Sequence, residues 1–293
     1  MSAPPLLAED TAGLIAWQLA PLLAVALLYG RRARAVGRSG APVPAWRQAA
    51  FHAGLLTAAL AVSALDRPSD ELLVAHAVEH LLIGDLAALL LVLGLTGPLL
   101  APVVRGPLGG TVRTLANPLI ALPVWALTLC LWQLPSLSHA ALEHSGVHAL
   151  AHATLLLVGV NMWMCLLGPL PTPRWFDDHA RLGYVLAVRL AGAALGNVLL
   201  WSGTVFYPFY IGGELARHIS PLADQNAAGA VILVEQSLMA VGLFVWLYLR
   251  AGTGLHRATL RAPGERAEGR TAGRRELLGE LTRESAKEPG GYR

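Results

Sequence analysis

Long apolar runs separated by short polar connections dominate this chain. Seven such runs, roughly 13–30, 47–65, 72–97, 114–134, 141–169, 183–205 and 223–249, approach or exceed the about 20 residues that a helix needs to cross a bilayer. The pattern predicts an all-α fold, a polytopic membrane bundle of about seven transmembrane helices, with Gly97-Pro98, Leu170-Pro171 and Tyr207-Pro208 acting as helix stops. The runs form one membrane domain over 13–250, preceded by an outer N-terminal segment, 1–12. Residues 251–293 are rich in Gly, Arg and Glu and poor in large apolar residues, which predicts a mobile basic cytoplasmic tail with a short helix around Arg274 to Thr282. There is no visible internal repeat.

Composition sharpens this. Of 293 residues 55% are hydrophobic and only 14% charged, against about 25% charged in an average soluble domain. The net charge of +3 does not point to nucleic acid, because the basic residues gather at the edges of the apolar runs. Arg31, Arg32, Arg34, Arg38, Arg47, Arg105, Arg113, Arg174, Arg181 and Arg189 flank alternate connections, and the opposite side carries only Arg67 and Arg217. Positive loops stay cytoplasmic, which predicts an outer N-terminus and a cytoplasmic C-terminus in a multi-pass protein of the cell membrane. The first run follows Glu9 and Asp10 with no basic residue before it, so it is expected to be a retained span and not a cleaved signal. Cys130 and Cys165 lie in apolar runs without a C-x-x-C motif, which gives no support to a disulfide scaffold, thiol redox chemistry or covalent haem attachment.

Ionisable side chains in hydrocarbon cost on the order of 3 kcal/mol each near the midplane, so each one marks a candidate site. The third run carries His76, Glu79, His80 and Asp85. At 1.5 Å per residue, His76 and His80 lie roughly 6 and 12 Å below the outer edge and share one face. The fifth run enters from the same side with His144, His148 and His152 in i, i+4 steps. The seventh begins there with Asp224 and Gln225 and carries Glu235 deeper, and Gln133 and Cys130 end the fourth. A single buried histidine is commonly an interhelical hydrogen bond. Two i, i+4 pairs at matching depth instead suggest metal or haem ligation by His76, His80, His148 and His152, with Glu79, Asp85 and Asp224 orienting the rings. Imidazole suits copper, zinc, iron and nickel, and Met162, Met164 and Cys165 lie deeper on the fifth run. His139, His144 and His218 could guide an ion inward. His52 is expected to be structural, and Arg189 to snorkel to the cytoplasmic headgroups.

In order and spacing, several pieces resemble the CtaG family of membrane-embedded cytochrome c oxidase assembly factors. They are the Trp17 span ending in Tyr29-Gly30-Arg31-Arg32, then His76-Ala77-Val78-Glu79-His80-Leu81-Leu82, Gly94-Leu95-Thr96-Gly97-Pro98, Trp132-Gln133-Leu134-Pro135, Val147-His148-Ala149-Leu150-Ala151-His152 and Leu222-Ala223-Asp224-Gln225 with Gly229. Together they cover roughly residues 13–250. The family tends to place a histidine where this chain has Gln133, and an amide is a poor copper ligand, so no ligand is carried over at that position.

The resemblance implies a role in maturing a haem–copper oxidase by loading copper, Cu(I) favoured, from the outer side. The partners it implies are cytochrome c oxidase subunits, outer-side copper chaperones and the lipid bilayer. No substrate bond is broken in such a role, so an enzyme is not expected. Two other readings stay open at this stage. One is a membrane haem protein with bis-histidine ligation; the other is an ion-coupled transporter using Asp85 and Glu235, for which inverted repeats would be the sign.

Overall fold

In the computed structural model the backbone is described for residues 6–250 and the side chains from Gln18 onward, that of Asp66 excepted. The predicted tail over 251–293, with its helix near 274–282, lies outside the described residues. So does the start of the predicted outer segment 1–12; from Leu6 its backbone already belongs to the first helix.

The described residues are mostly helical, with no strand among them. α1 (Leu6–Arg38) and α2 (Ala45–Ala64) form a pair, followed by the short α3 (Asp66–Glu71). The third apolar run folds as α4 (Leu73–Leu81), a π-helical turn (Leu82–Ala87) and α5 (Ala88–Gly94). Next come α6 (Gly97–Arg105), α7 (Gly109–Leu115), α8 (Pro118–Trp132), α9 (Pro135–Glu143), α10 (Ser145–Leu167) and α11 (Asp178–Trp201). A 3₁₀ turn (Pro208–Tyr210) and α12 (Ile211–Ala216) lead to α13 (Pro221–Arg250). Where helices start, the sequence explains why: Asn117 accepts a hydrogen bond from Leu119 N at 3.0 Å ahead of Pro118, and Asp177 accepts one from Ala180 N at 2.9 Å.

By length and apolar composition, four helices among the described residues can cross a membrane: Leu73–Gly94, Ser145–Leu167, Asp178–Trp201 and Pro221–Arg250. α7 and α8, bent by 73° at their junction, make a fifth if the pair is one span. The run 47–65 is helical, but α2 carries Arg47, Gln48 and His52 in its first turns. These polar groups have local uses. Arg47 donates to Leu93 O at 3.0 Å and Leu95 O at 2.8 Å, and His52 Nδ1 lies 2.7 Å from Gln48 O. Tyr29 stacks on Phe51 and donates to Gly94 O at 3.0 Å, while Arg32 donates to Pro98 O at 2.9 Å. The segments Tyr29–Arg32 and Gly94–Pro98 thus meet: Arg47 and Tyr29 satisfy carbonyls that the end of α5 would leave orphaned, and Arg32 satisfies the Pro98 carbonyl of α6, which Pro102 has no N–H to reach.

The chain divides into two compact units, Met1–Val241 and Gly242–Arg293. In the second, the described part is the end of α13, where the Arg250 guanidinium lies 5.4 Å from the Trp246 ring centroid. In the first, α10 packs against α8 and against the broken third helix. Its closest approach needs a glycine: a Cβ on Gly159 would stand 2.0 Å from Gly84 O. Gly196 and Gly229 serve α11 and α13 in the same way, a small-residue packing typical of helices in lipid.

Candidate functional site

The i, i+4 spacing on α4 and α10 puts two imidazoles on each facing surface, and the Gly84–Gly159 contact brings the helices close enough for the four rings to meet. Ring centroids are 4.1 Å apart for His76 and His80, 4.3 Å for His148 and His152, 5.8 Å for His76 and His148 and 5.7 Å for His80 and His152. His76, His148 and His152 are buried and His80 is half-buried. Glu79, fully buried, stands among them: its Oε2 is 3.7 Å from His148 Nε2 and its Oε1 is 3.4 Å from His152 Nε2. Neither carboxylate oxygen makes a regular hydrogen bond among the described residues, and nor do His76 Nδ1, His80 Nε2 or His152 Nε2.

The reason for the His152 orientation lies on α1. Gln18 Oε1 is 3.1 Å from His152 Nδ1, so that nitrogen donates and Nε2 is left facing Glu79 with its lone pair. Sequence reasoning missed Gln18, an amide isolated in an apolar helix. Two triads place their ligand atoms within 4.8 Å of one another, His76–His80–His148 and Glu79–His148–His152. Nitrogen or oxygen ligands 2.0–2.2 Å from one ion stand about 3.3–3.8 Å apart at tetrahedral to trigonal angles, which matches the two Glu79 distances. The donor set and its spacing fit a metal ion.

The other predicted residues occupy three different surroundings. Asp224, buried, accepts from Leu73 N at 2.6 Å and caps α4 from α13; it reaches no ring nitrogen of the histidines. Gln225 accepts from Phe206 N at 2.8 Å and donates to Thr204 O at 3.0 Å, which ties down the loop after α11. Gln133 receives a hydrogen bond from the Tyr207 hydroxyl, at 2.9 Å to its carbonyl. His139 is exposed on α9, 3.7 Å from Glu143 and with its ring against Phe209, and His144 is exposed at the start of α10. His218 is also exposed, at a positive φ of 57°.

Asp85, in the π-helical turn, belongs to a second buried group. It accepts from Trp163 Nε1 at 2.8 Å and pairs with both terminal nitrogens of Arg189, whose Nη1 is also 3.2 Å from Gln236 Oε1 and 3.6 Å from Glu235 Oε1. Arg189 is 4% exposed and turns inward, which corrects the expectation that it snorkels: two carboxylates 104 and 46 residues away hold it. A cavity of about 70 Å³ is lined by residues of both groups, His76 and His80 from one and Asp85 and Gln236 from the other, together with Trp125 and Trp132. On the short α12, burial and the Asp224 carboxylate push the Glu214 carboxyl up to about 7.

The sequence model of one family, described as cytochrome c oxidase caa3 assembly factor (Caa3_CtaG), matches residues 27–252. The matched stretch contains both buried polar groups in full and leaves out Gln18. No match was found among curated proteins or among solved structures. A match over more than three quarters of an apolar helical chain, including every histidine of the ring, assigns the protein to the membrane-associated cytochrome c oxidase caa3 assembly factor family.

Proposed function

We propose that this protein holds copper(I) as cargo in the histidine ring and passes it to a haem–copper oxidase during assembly. In this reading the chain crosses the membrane seven times with the N-terminus outside and the C-terminus in the cytoplasm, as the arginine asymmetry favours. The ring then lies in the outer half of the bilayer. His139 and His144, exposed at that end, are the first side chains an incoming ion meets; His76, His80, His148 and His152 hold it, and ligand exchange on docking transfers it to the oxidase. Cu(I) suits such a site because it accepts low coordination by neutral imidazoles and is bound without any bond in a substrate being broken.

One observation carries the reading: four imidazoles from two helices converge in the protein interior, and among the described residues His76 Nδ1, His80 Nε2 and His152 Nε2 make no hydrogen bond. It also favours an ion over haem. The rings are too crowded for a macrocycle between them, and the adjoining cavity of about 70 Å³ has room for only a few waters.

The test is copper content. The detergent-purified protein is expected to bind one equivalent of Cu(I), and the His76→Ala, His148→Ala double variant none, at unchanged expression. In cells the double variant is expected to lower oxidase activity, with partial recovery in excess copper. Equal copper content in variant and parent would remove the proposal, and a Soret band in the purified parent would replace it with the haem reading.

A further inference from the structure

The ring is not four equivalent ligands around one point. Resting on the reading that this site binds copper, we infer that it offers one ion two overlapping positions, an all-imidazole position made by His76, His80 and His148 and a carboxylate position made by Glu79, His148 and His152.

Three observations point to this. The ligand atoms fall within reach of a common ion in those two triads, which share His148. Glu79 is fully buried and sits between the histidines; among the described residues its ion-pair partners are the imidazoles of His148 and His152. And because Gln18 Oε1 takes the Nδ1 proton of His152, a neutral His152 turns a lone pair toward Glu79 Oε1 at 3.4 Å. Two acceptors that face each other in a dry site repel unless a cation lies between them. The Glu79–His152 edge is therefore built for a cation, and its length is that of a tetrahedral ligand pair.

The two positions differ in chemistry. Three neutral imidazoles leave a Cu(I) ion with its single charge and suit a soft monovalent metal, whereas an anionic oxygen with two imidazoles favours a divalent ion such as Cu(II) or Zn(II). His148 belongs to both triads, so an ion moves from one position to the other by exchanging His76 and His80 for Glu79 and His152 without leaving the protein. The site accordingly takes copper in either oxidation state, and Glu79 is the residue that lets it do so.

The experiment titrates detergent-purified parent, Glu79→Gln, His76→Ala and His148→Ala with Cu(I) against a chromophoric chelator, and with Co(II), a divalent ion visible by its ligand-field bands. Glu79→Gln is expected to weaken Co(II) by about tenfold or more while leaving Cu(I) within about threefold. His76→Ala should do the reverse, and His148→Ala should weaken both. The ion that Glu79→Gln and His76→Ala each retain reports that these two variants are folded. The inference is overturned if Glu79→Gln and His76→Ala weaken both ions by the same factor, or if the parent binds Cu(I) and no Co(II); either result leaves the proposed copper function standing. A parent that binds no Cu(I) removes the proposed function, and this inference with it.

Discussion

Asp85 follows Glu79 by six positions on one broken helix, and the two carboxylates are treated in opposite ways. Asp85 has an indole N–H and two guanidinium nitrogens, and the second acid, Glu235, shares the same arginine. Glu79 has imidazoles that face it without hydrogen-bonding it, one of them oriented by Gln18 so that an acceptor opposes an acceptor. The Asp85 carboxylate finds its hydrogen bonds within the protein, whereas the oxygens of Glu79 make none among the described residues; under the proposed function a bound cation completes the second arrangement. Burial of charge is common to both; what differs is whether the carboxylate's hydrogen bonds are met. The turn between them is π-helical, a form often found beside functional sites because it shifts the face on which later side chains lie.

The largest effect expected from this contrast comes from Arg189→Met. It leaves Asp85 and Glu235 buried without their cation, and breaking such a buried pair costs about 3–5 kcal/mol. Thermal unfolding in detergent should show a loss of that size, or the variant should fail to accumulate in membranes. Glu79→Gln in the metal-free protein should show a change of about 1 kcal/mol or less, in the stabilising direction, since it removes a buried charge that has no hydrogen bond to lose. Similar losses in both variants would show that Glu79 is held as firmly as Asp85, and the contrast would disappear.

That contrast was only half legible in the sequence. The histidine pairs announce themselves through i, i+4 spacing at one depth on two runs, and Glu79 lies on the arc between His76 and His80. Arg189 offers no such signal: the one charged residue of α11 beyond Arg181, it gains its meaning from Asp85 and Glu235 on two other helices, and its nearness to the end of an apolar run suggests the headgroups instead. Asp224 and Gln225 look like site residues because they open a helix at the right level, yet one caps α4 and the other pins a loop. Helices were read from the runs 72–97, 141–169, 183–205 and 223–249 with ends off by a few residues, because apolar length decides them. The bend within 114–134 and the π-helical turn have no periodicity of their own. The polar first turns of α2 leave its status as a span to the topology proposed above.

A third pair of acids shows another way to bury a carboxylate. Glu214, 2% exposed, has the Asp224 carboxylate beside it, and burial together with that charge pushes its carboxyl up to about 7. Its folded pKa therefore lies above its ordinary value of 4.5. The stability this protonated acid contributes is complete below about 4.5 and is lost as pH rises through about 7. Melting curves in detergent should fall by an equivalent of about 2 kcal/mol between pH 5 and pH 7. Glu214→Gln, which keeps the neutral form at every pH, should flatten that slope; an unchanged slope would place the titration elsewhere.

A small effect on stability, and the sharpest on the comparison, is expected from Gln18→Leu. The substitution removes one hydrogen bond to His152 from a half-buried amide, worth about 1 kcal/mol, so melting should shift by a few degrees at most. What it changes is the tautomer: without Gln18 Oε1, His152 is free to carry its proton on Nε2 and donate it to Glu79. The open valences of the ring then close on themselves, as those of Asp85 already do. Divalent binding should weaken by about tenfold, the usual cost of losing a group that orients a ligand, while Cu(I), held by His76, His80 and His148, should be nearly unaffected. If Gln18→Leu leaves Co(II) affinity unchanged, the acceptor-to-acceptor contact between His152 and Glu79 is not what makes the ring a cation site, and the crowding of the imidazoles alone must account for it.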